Sequence, residues 1–258
     1  MKTVILCGGK GTRLREETEF KPKPLVEIGG NPILWHIMKI YAYYGFNQFV
    51  LCLGYKGNMI KDYFLHLHYM LSNFVINTKT GISKLDTSSN DEWEVAFVNT
   101  GEDTLTGGRI SKIRDYVGGS DSFLATYGDG VSNINISDAV KHHVEKGKLV
   151  TLAAVRPSSV FGDIKIKDGI VTDFVEKPLL GSFINGGFFV ANIKIFDYID
   201  NCYGGNDFMF ESLLAELAEQ GELSAYIHEG FWQCMDTYKH VEELNSIWQK
   251  GNAPWKIW

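Results

Sequence analysis

The chain has 258 residues, of which 45% are apolar and 22% are charged, and its net charge is −6. This composition argues against a disordered or fibrous protein, and the negative charge argues against a general nucleic-acid surface, which needs a basic excess. A small phosphorylated ligand needs only a local positive cluster, so that class stays open. The length suffices for one large α/β domain or two small ones.

The N-terminal stretch "MKTVILCGG" contains four consecutive apolar residues, too few for a signal-peptide core of about 7–15. No apolar run approaches the ~18 residues of a membrane span. The cysteines Cys7, Cys52, Cys202 and Cys234 form no C-x-x-C pair, and two of them lie in apolar, strand-like runs. This usage favours buried free thiols in a reducing compartment over a disulfide or metal role. We therefore expect a cytoplasmic protein with no membrane partner.

Strand and helix patterns alternate in the first part of the chain. Val4–Leu6 reads as a strand that leads into a glycine-rich loop. "GGNPILWHIMKIYAYYGF" predicts a helix with Asn31 as its N-cap, Pro32 in its first turn and Gly45 at its end. "QFVLCLGY" is typical of a strand that is covered on both faces, and "NMIKDYFLHLHYM" is helical. This order predicts an α/β fold with a parallel sheet and right-handed crossovers.

The pattern is less regular after this point. The polar segment "NTKTGISKLDTSSNDEW" predicts a hairpin excursion before the strand "EVAFVNT", and the strands "SFLATYGDG" and "LVTLAAV" flank the helix "DAVKHHVEKG". "IKIKDGIVTDFVEKP" predicts a second hairpin that turns at Asp168 and Gly169. The strand "GGFFVANI" is followed by a helix that ends near Gly221 and by a last helix over Tyr238–Lys250, before the tail "GNAPWKIW". No internal repeat is visible, so we expect one mixed-sheet domain over 1–258 with C-terminal additions.

The stretch "VILCGGKGTRL" places three glycines and two cations directly after the first strand. Gly8, Gly9 and Gly11 lack a Cβ, so their backbone N–H groups can approach an anion closely. The loop follows a parallel strand at its carboxyl end, where ligands bind in open α/β sheets. Lys10 and Arg13 add positive charge. The alternative is a tight turn with solvated basic side chains.

Two common phosphate-binding motifs do not match this loop. The P-loop G-x-x-x-x-G-K-[ST] requires its second glycine where Arg13 stands. The dinucleotide fingerprint G-x-G-x-x-G requires its third glycine where Leu14 stands. This spacing counts against a kinase or NTPase that is built on a P-loop.

Several other residues could act on phosphates. Asp129 in "TYGDG" ends a strand between two glycines, and because a helix and not a returning strand follows, a metal-binding role is favoured over a hairpin turn. Lys23 lies between two prolines that stiffen its backbone, which favours a placed cation, and Arg13 offers a planar fork to two oxygens. Asp236 in "QCMDT" reads as an ordinary turn residue. The turn "EDTLTGGRI" allows a plain loop that Arg109 caps. No nucleophile motif such as G-x-S-x-G is present, so a covalent mechanism has no support.

"GGKGTRL" followed by "KPKPLVEIGGNPILWHIM" resembles the N-terminal signature of sugar-nucleotide pyrophosphorylases, nucleotidylyltransferases that join a sugar 1-phosphate to an NTP. Further similar motifs follow in order over nearly the whole chain: "TGGR", "YGDG", "FVEKP", "INGGFFV", "FWQCMDT" and "APWKIW". The resemblance implies a Rossmann-like, mixed, mostly parallel sheet flanked by helices. It implies a nucleotide-binding half at about 1–130 and a sugar-phosphate-binding half at about 131–258.

The K-P-K-P motif, the long excursion before "TGGR" and the tryptophan-rich tail are most similar to the branch of that family that uses CTP and glucose 1-phosphate. The resemblance therefore implies Mg²⁺-dependent formation of CDP-glucose and pyrophosphate. The same reaction with UTP, dTTP or another hexose 1-phosphate is the first alternative. A non-catalytic, nucleotide-binding regulatory subunit is a remote one, since it predicts a damaged site whereas Arg13, Lys23, Asp129 and Asp236 are all present.

The resemblance also implies roles for individual positions. The nucleotide would be bound by Leu6, Cys7, Gly8, Gly9, Lys10, Gly11, Thr12, Arg13, Lys23, Thr104, Gly107, Arg109 and Gly128. Thr104, Gly107 and Arg109 are the candidates for base recognition. The sugar phosphate would be bound by Glu176, Lys177, Asn185 and Gly186. Arg13, Lys23 and Asp129 would be catalytic, and Asp129 and Asp236 would hold Mg²⁺.

Trp248, Trp255 and Trp258 near the C-terminus carry too much aromatic surface to be left in water. They are expected to dock either on their own domain or on a neighbouring subunit. A homo-oligomer is therefore expected, with small-molecule substrates and no nucleic-acid partner.

Overall fold

Strands and helices alternate along the computed structural model of the chain, which describes residues 1–70, 72–86, 92–158, 161–176, 178–179 and 181–258. The strands are β1 Thr3–Cys7, β2 Glu27–Ile28, β3 Asn31–Pro32, β4 Gln48–Leu53, β5 Asn73–Asn77, β6 Gly81–Asp86, β7 Glu94–Asn99, β8 Ser122–Tyr127, β9 Gly130–Ser132, β10 Val150–Val155, β11 Asp163–Lys167, β12 Ile170–Val175, β13 Ile184–Asn192, β14 Leu223–His228 and β15 Trp232–Cys234. The helices are α1 Arg15–Thr18, α2 Ile33–Tyr43, α3 Gly57–Met70, α4 Thr106–Ser111, α5 Ile136–Lys146, α6 Ile195–Tyr203, α7 Phe210–Glu219 and α8 Tyr238–Gln249. Among these helices, none combines the length and the apolar character that crossing a membrane requires.

The main sheet has the strand order β14-β10-β13-β8-β1-β4-β7. β1 runs parallel to both β4 and β8, β4 is parallel to β7, and β10 is parallel to β14. β13 lies antiparallel between β10 and β8. The chain reaches β13 through the β11–β12 hairpin and not through a crossover helix, so β13 returns in the opposite direction. The predicted α/β fold with a mixed, mostly parallel sheet is confirmed.

The core lies on both faces of this sheet. Ile5 and Cys7 belong to one buried cluster and Val4 to the other, because successive strand side chains point to opposite faces. On the first face, α2 packs its apolar side, as its periodicity predicts. These buried α2 residues are Ile33, Leu34, Ile37, Met38 and Tyr41. α4, α6 and α7 cover the other face through Ile110, Ile199 and Leu213 among others.

The boundaries of two helices differ from the prediction. Asn31 is not the N-cap of α2: it lies in β3, which pairs with β2, and extended Pro32 is the N-cap. A short strand pairing therefore replaces a side-chain cap at this helix start. Gly45, with φ 84°, ends the α2 region as predicted. The last helix stops at Gln249, one residue before its predicted end, and Lys250 is its C-cap.

Both predicted hairpins are present. β5 and β6 pair antiparallel and form the excursion before β7. β11 and β12 pair antiparallel around Asp168 and Gly169, whose φ angles are 52° and 78°. Two consecutive left-handed residues match the twist of flanking strands, which explains the Asp-Gly pair at this turn.

The C-terminal tail docks on its own chain. Trp255 is fully buried, and its ring stacks on Phe231 with the ring centroids 5.4 Å apart. Its Nε1 donates to Nδ1 of His36 over 3.3 Å, and Trp248 packs edge-on against the same imidazole at 4.7 Å. The first of the two expected docking modes is therefore the one present. The prediction of a homo-oligomer loses the tail as its support and stays a prediction.

The four cysteines are free thiols, as predicted. Cys7 and Cys52 are buried on neighbouring strands, and burial raises the pKa of the Cys52 thiol to about 12. Cys234 is half-buried, and burial raises its pKa to about 11. Cys202 is exposed, so the expectation of burial is wrong for this residue, which lies near the end of α6.

Candidate active site

The glycine-rich loop and Asp129 meet at one edge of the sheet. The loop follows β1 and Asp129 follows β8, and these two strands are parallel neighbours in register from Thr3 opposite Leu124 to Leu6 opposite Tyr127. Their carboxyl ends therefore open on the same side, where ligands bind in α/β folds. A cleft of about 390 Å³ lies between this edge and the segment that starts α4.

The backbone of the glycine-rich loop is exposed to this cleft. Gly11 has φ 61°, and a Cβ there would lie 2.7 Å from Cγ2 of Thr18, so both conformation and space require glycine. Thr18 holds the loop from behind by donating from Oγ1 to the Gly11 carbonyl over 3.0 Å. In the part of the chain that the structure describes, the amides of residues 9–12 donate to no protein acceptor. A run of open amides of this kind can bind an anion.

Four charged side chains converge beside the loop. Nζ of Lys23 lies 2.7 Å from Oδ2 of Asp129 and 2.6 Å from Oδ1 of Asp236. Nη1 of Arg13 lies 2.9 Å from the other Asp236 oxygen. The antiparallel pairing of β15 with β9 brings Asp236 to Asp129, and the Met235 amide donates to the Asp129 carbonyl over 2.8 Å. The pair of carboxylates is thus assembled by tertiary structure.

Lys23 and Asp236 are charged at neutral pH. Burial lowers the pKa of Lys23, but the carboxylates of Asp129 and Asp236 outweigh burial and hold this pKa above its ordinary value. Burial likewise raises the pKa of Asp236, yet Lys23 and Arg13 outweigh it and keep the pKa below its ordinary value. Lys23 therefore stays an ammonium and Asp236 a carboxylate, so the cluster can exchange ion pairs with phosphates.

The two carboxylates fit a magnesium ion. Both approach the single Nζ atom of Lys23, so their oxygens converge on one point. Mg²⁺ prefers oxygen ligands and is held in proteins by one or two carboxylates together with substrate phosphates and water. No group of three or more His, Cys, Asp or Glu side chains that could hold a metal occurs among the described residues. Asp129 and Asp236 therefore suit an ion that a nucleotide helps to coordinate.

A second cleft of about 280 Å³ adjoins the first, and Asp129 lines both. Asn185 and Gly186 at the start of β13 line it, together with Trp232 on β15. Trp232 donates from Nε1 to the Gly186 carbonyl over 2.7 Å, which fixes the indole against the cleft wall. Arg13, Tyr127 and Asp129 line both clefts. Two ligands could therefore bind side by side with the charged cluster between them.

Most of the predicted nucleotide-binding residues line the first cleft. These are Leu6, Cys7, Gly8, Gly9, Gly11, Thr12, Arg13, Lys23, Thr104, Arg109 and Gly128. Lys10 instead pairs with Asp103 over 2.8 Å, and both side chains are largely exposed. Gly107 packs beneath Phe208, whose ring a Cβ would approach to 2.2 Å. The structure thus gives Gly107 a packing position and not a place on the cleft wall.

Arg109 is buried and connects several loops through hydrogen bonds. Its guanidinium donates to the carbonyls of Gly8, Leu53 and Gly101 over 3.1, 3.2 and 2.8 Å, and to Oγ1 of Thr100 over 2.7 Å. A Cβ on Gly8 would lie 2.1 Å from Nη1 of Arg109, so glycine is required there for the guanidinium to fit. Arg109 therefore holds the glycine-rich loop to the end of β4 and to the loop after β7. It also lines the first cleft, so its predicted role in base recognition stays a prediction.

Two of the four predicted sugar-phosphate residues line the second cleft. Asn185 and Gly186 line the second cleft, and Oδ1 of Asn185 accepts from the Gly187 amide over 2.9 Å. Glu176 is exposed and lies outside the walls of either cleft as described. Lys177 lies outside the described residues.

Sequence reasoning missed several residues of the two clefts. Tyr127 lines both clefts and precedes the predicted Asp129 by two positions, so the motif "TYGDG" contained the signal. Glu211 lines the second cleft from α7, and an acidic residue on an amphipathic helix carried no such signal. Trp232 was only one of several aromatic residues near the C-terminus. Glu211 is recognised as a residue of this cleft only in the folded chain, where it contacts Tyr127 of β8.

The comparisons with known proteins agree with this geometry. The family model described as nucleotidyl transferase matches residues 2–249, and the chain belongs to this family. It is 46% identical, over the full length of both chains, to the glucose-1-phosphate cytidylyltransferase of Salmonella typhimurium (strain LT2). It has the same identity, also over both full lengths, to the probable glucose-1-phosphate cytidylyltransferase of Bacillus subtilis (strain 168). The predicted resemblance is confirmed.

Solved structures show the same fold. The crystal structure of HddC from Yersinia pseudotuberculosis has a TM-score of 0.69 at 23% identity and covers 96% of this chain and 99% of its own. A putative glucose-1-phosphate thymidylyltransferase from Bacillus anthracis has a TM-score of 0.68 at 18% identity and covers 96% and 94%. The architecture is therefore shared with solved structures that are distant in sequence.

Proposed function

We propose that this chain catalyses the reaction of CTP with α-D-glucose 1-phosphate to give CDP-glucose and pyrophosphate. The observation that carries the proposal is the cluster of Lys23, Asp129 and Asp236 at the junction of two adjacent clefts. The full-length identity to glucose-1-phosphate cytidylyltransferases supports the choice of nucleotide and sugar.

The first cleft suits the nucleotide. The amides of the glycine-rich loop and the guanidinium of Arg13 face a space that could hold a triphosphate. Lys23 adds a half-buried ammonium to the same wall. Except for Met209, the lining residues lie between Leu6 and Asp129, which supports the predicted nucleotide-binding half of about 1–130.

Asp129 and Asp236 would hold Mg²⁺. The ion, when bound, would neutralise charge on the phosphates and favour departure of pyrophosphate. The two carboxylates position that charge at the boundary of the clefts, where the reacting phosphates of both substrates would meet. Arg13 lines both clefts and can pair with either phosphate.

The chemical step needs no covalent enzyme intermediate. An oxygen of the sugar phosphate attacks the α-phosphorus of CTP and forms a new P–O bond, while the bond between the α-phosphorus and the bridging oxygen breaks and pyrophosphate leaves. Both reactants are anions, so the work of the site is to hold them together and to stabilise charge that moves to the leaving group. Lys23 and Arg13 supply fixed positive charge for this purpose.

Pyrophosphate release tests the proposal. The chain is incubated with glucose 1-phosphate, Mg²⁺ and, separately, CTP, UTP, dTTP, ATP or GTP. We expect release with CTP and a loss of about 10²–10³-fold in Asp129→Asn, which removes one carboxylate charge at the cluster. Asp115→Asn, a change of the same kind at an exposed residue outside both clefts, is the control and should keep full activity.

Other outcomes separate the alternatives. Release with UTP or dTTP in place of CTP would move the enzyme to a sister specificity. Release only with another hexose 1-phosphate would change the sugar assignment. Nucleotide binding without release for every combination of NTP and sugar phosphate would support a regulatory subunit and refute the proposal.

The cytoplasmic location also stays a prediction.

A further inference from the structure

Glu211 at the start of α7 carries a carboxylate into the second cleft. Its Oε1 accepts a hydrogen bond from the Tyr127 hydroxyl over 2.5 Å, and its Oε2 accepts one from Oγ1 of Thr106 over 3.0 Å. These three residues come from β8, α4 and α7, so the contact joins separate elements. A carboxylate with two hydroxyl donors is held in one orientation.

The surroundings hold this group in place. Glu211 is the second residue of α7, where the positive end of the helix dipole favours an anion. Thr106 also accepts from the Phe210 amide over 2.8 Å, which ties the helix start to α4. The Tyr127 ring packs edge-on against Phe189 with the ring centroids 5.6 Å apart.

The position of this charge is informative because both proposed substrates are anions. A carboxylate repels phosphate groups, so Glu211 is unsuited to bind the triphosphate or the sugar phosphate group. Glu211 is also separate from Asp129 and Asp236, the proposed Mg²⁺ ligands. In the described part of the chain, no three or more His, Cys, Asp or Glu side chains form a group that could hold a metal, so Glu211 does not join that pair. What a carboxylate binds well in such a cleft is a neutral hydroxyl, which donates a charge-assisted hydrogen bond.

Glu211 has acceptor capacity left for this role. Two carboxylate oxygens offer about four lone-pair sites, and hydrogen bonds from described residues occupy one on each oxygen. The same cleft is also lined by Trp232, whose indole is fixed by its hydrogen bond to the Gly186 carbonyl, and by the backbone at Gly186. An apolar wall facing a few placed polar groups is the usual character of a small-molecule site.

We propose that Glu211 accepts a hydrogen bond from a ring hydroxyl of the sugar 1-phosphate and thereby selects the sugar by its hydroxyl pattern. Tyr127 is the positioning residue that orients the carboxylate. This inference rests on the proposed function, because it assigns the second cleft to the sugar substrate.

The test compares Glu211→Gln with Glu219→Gln. Both residues lie on α7, but Glu219 is exposed at the far end of the helix and outside both clefts, so it controls for general effects on this helix. Each protein is assayed with CTP and glucose 1-phosphate or its 2-, 3-, 4- or 6-deoxy analogue. In the parent, the analogue that lacks the recognised hydroxyl should lose about 10–100-fold in kcat/KM. In Glu211→Gln that penalty should shrink to within about threefold, while Glu219→Gln keeps it.

Two further measurements distinguish recognition from a structural role. Glu211→Gln should raise KM for glucose 1-phosphate about tenfold, with the Kd for CTP and the thermal unfolding midpoint near those of the parent. Tyr127→Phe should raise the same KM by a smaller factor. Equal loss on glucose 1-phosphate and on every analogue would overturn the proposal, and so would a change in CTP binding alone. Absence of turnover in the parent itself would instead refute the proposed function.

Discussion

Acidification from pH 7 to pH 5 should destabilise this protein through His36. The imidazole is buried on α2, where Nε2 lies 2.8 Å from the Ile28 carbonyl and Nδ1 accepts from Nε1 of Trp255 over 3.3 Å. A proton on Nδ1 would face the indole N–H of Trp255 and lose that bond. Burial, together with a smaller effect of the charge on Lys256, lowers the pKa of His36 from 6.5 to about 4.

The direction and size follow from proton linkage. The folded-state pKa lies below the unfolded one, so between pH 6.5 and about 4 the unfolded chain binds a proton that the folded chain does not. Stability is therefore full above pH 6.5 and decreases as the pH falls through this window. At 1.36 kcal/mol per pKa unit the total is about 3 kcal/mol, of which about 2 kcal/mol is lost between pH 7 and pH 5.

Urea unfolding at pH 7 and pH 5 measures this effect. Burial also lowers the pKa values of His143 and His228, so the parent must be compared with His36→Gln, in which those two groups remain. The variant should lose about 2 kcal/mol less than the parent on acidification, whatever its own stability at pH 7. If the two proteins lose the same free energy of unfolding, the reasoning about His36 is wrong.

Three further changes test the site. Gly11→Ala should lower the free energy of unfolding, measured in urea titrations, by about 1–2 kcal/mol, because alanine disfavours the left-handed φ and its Cβ would collide with Thr18. An unchanged free energy of unfolding would contradict that geometry. Arg109→Lys should raise KM for CTP about tenfold without altering the preference for CTP over UTP, because the donors of a lysine all sit on one nitrogen, whereas Arg109 reaches Gly101 and Gly8 through two. An altered preference would show base recognition instead. Lys23→Met should lower kcat for pyrophosphate release about 10²–10³-fold and change the Kd for CTP by a smaller factor. Weaker CTP binding with an unchanged kcat would argue against a role of Lys23 in stabilising the transition state.

Local patterns predicted most of the fold and most of the residues that line the first cleft. The glycine-rich loop and Asp129 each follow a strand directly, so their place at the carboxyl edge of a parallel sheet can be deduced from neighbouring residues. The turn at Asp168 and Gly169 is equally local, because its backbone conformation depends on those two residues. Asn31 was predicted wrongly because a strand pairing with β2 outcompeted its capping preference.

Other parts of the site depend on contacts between distant residues. Lys23 and Asp236 are 213 positions apart, and only the pairing of β15 with β9 brings that carboxylate to Asp129. From the residues alone Asp236 is a turn residue, and family resemblance was needed to identify it. Glu211 is one acidic residue on an amphipathic helix until α7 packs beside β8.

The sequence by itself determined the alternation of strands and helices, the glycine-rich loop and the family, because these reside in short runs whose backbone preferences are local. Tertiary structure alone decided that Arg109 braces the loops and that the tryptophan tail covers its own chain. It also decided that Glu211 faces the second cleft. The physical reason is that the role of a side chain depends on the groups that bury it and form hydrogen bonds or ion pairs with it. Packing between segments far apart along the chain decides which groups these are.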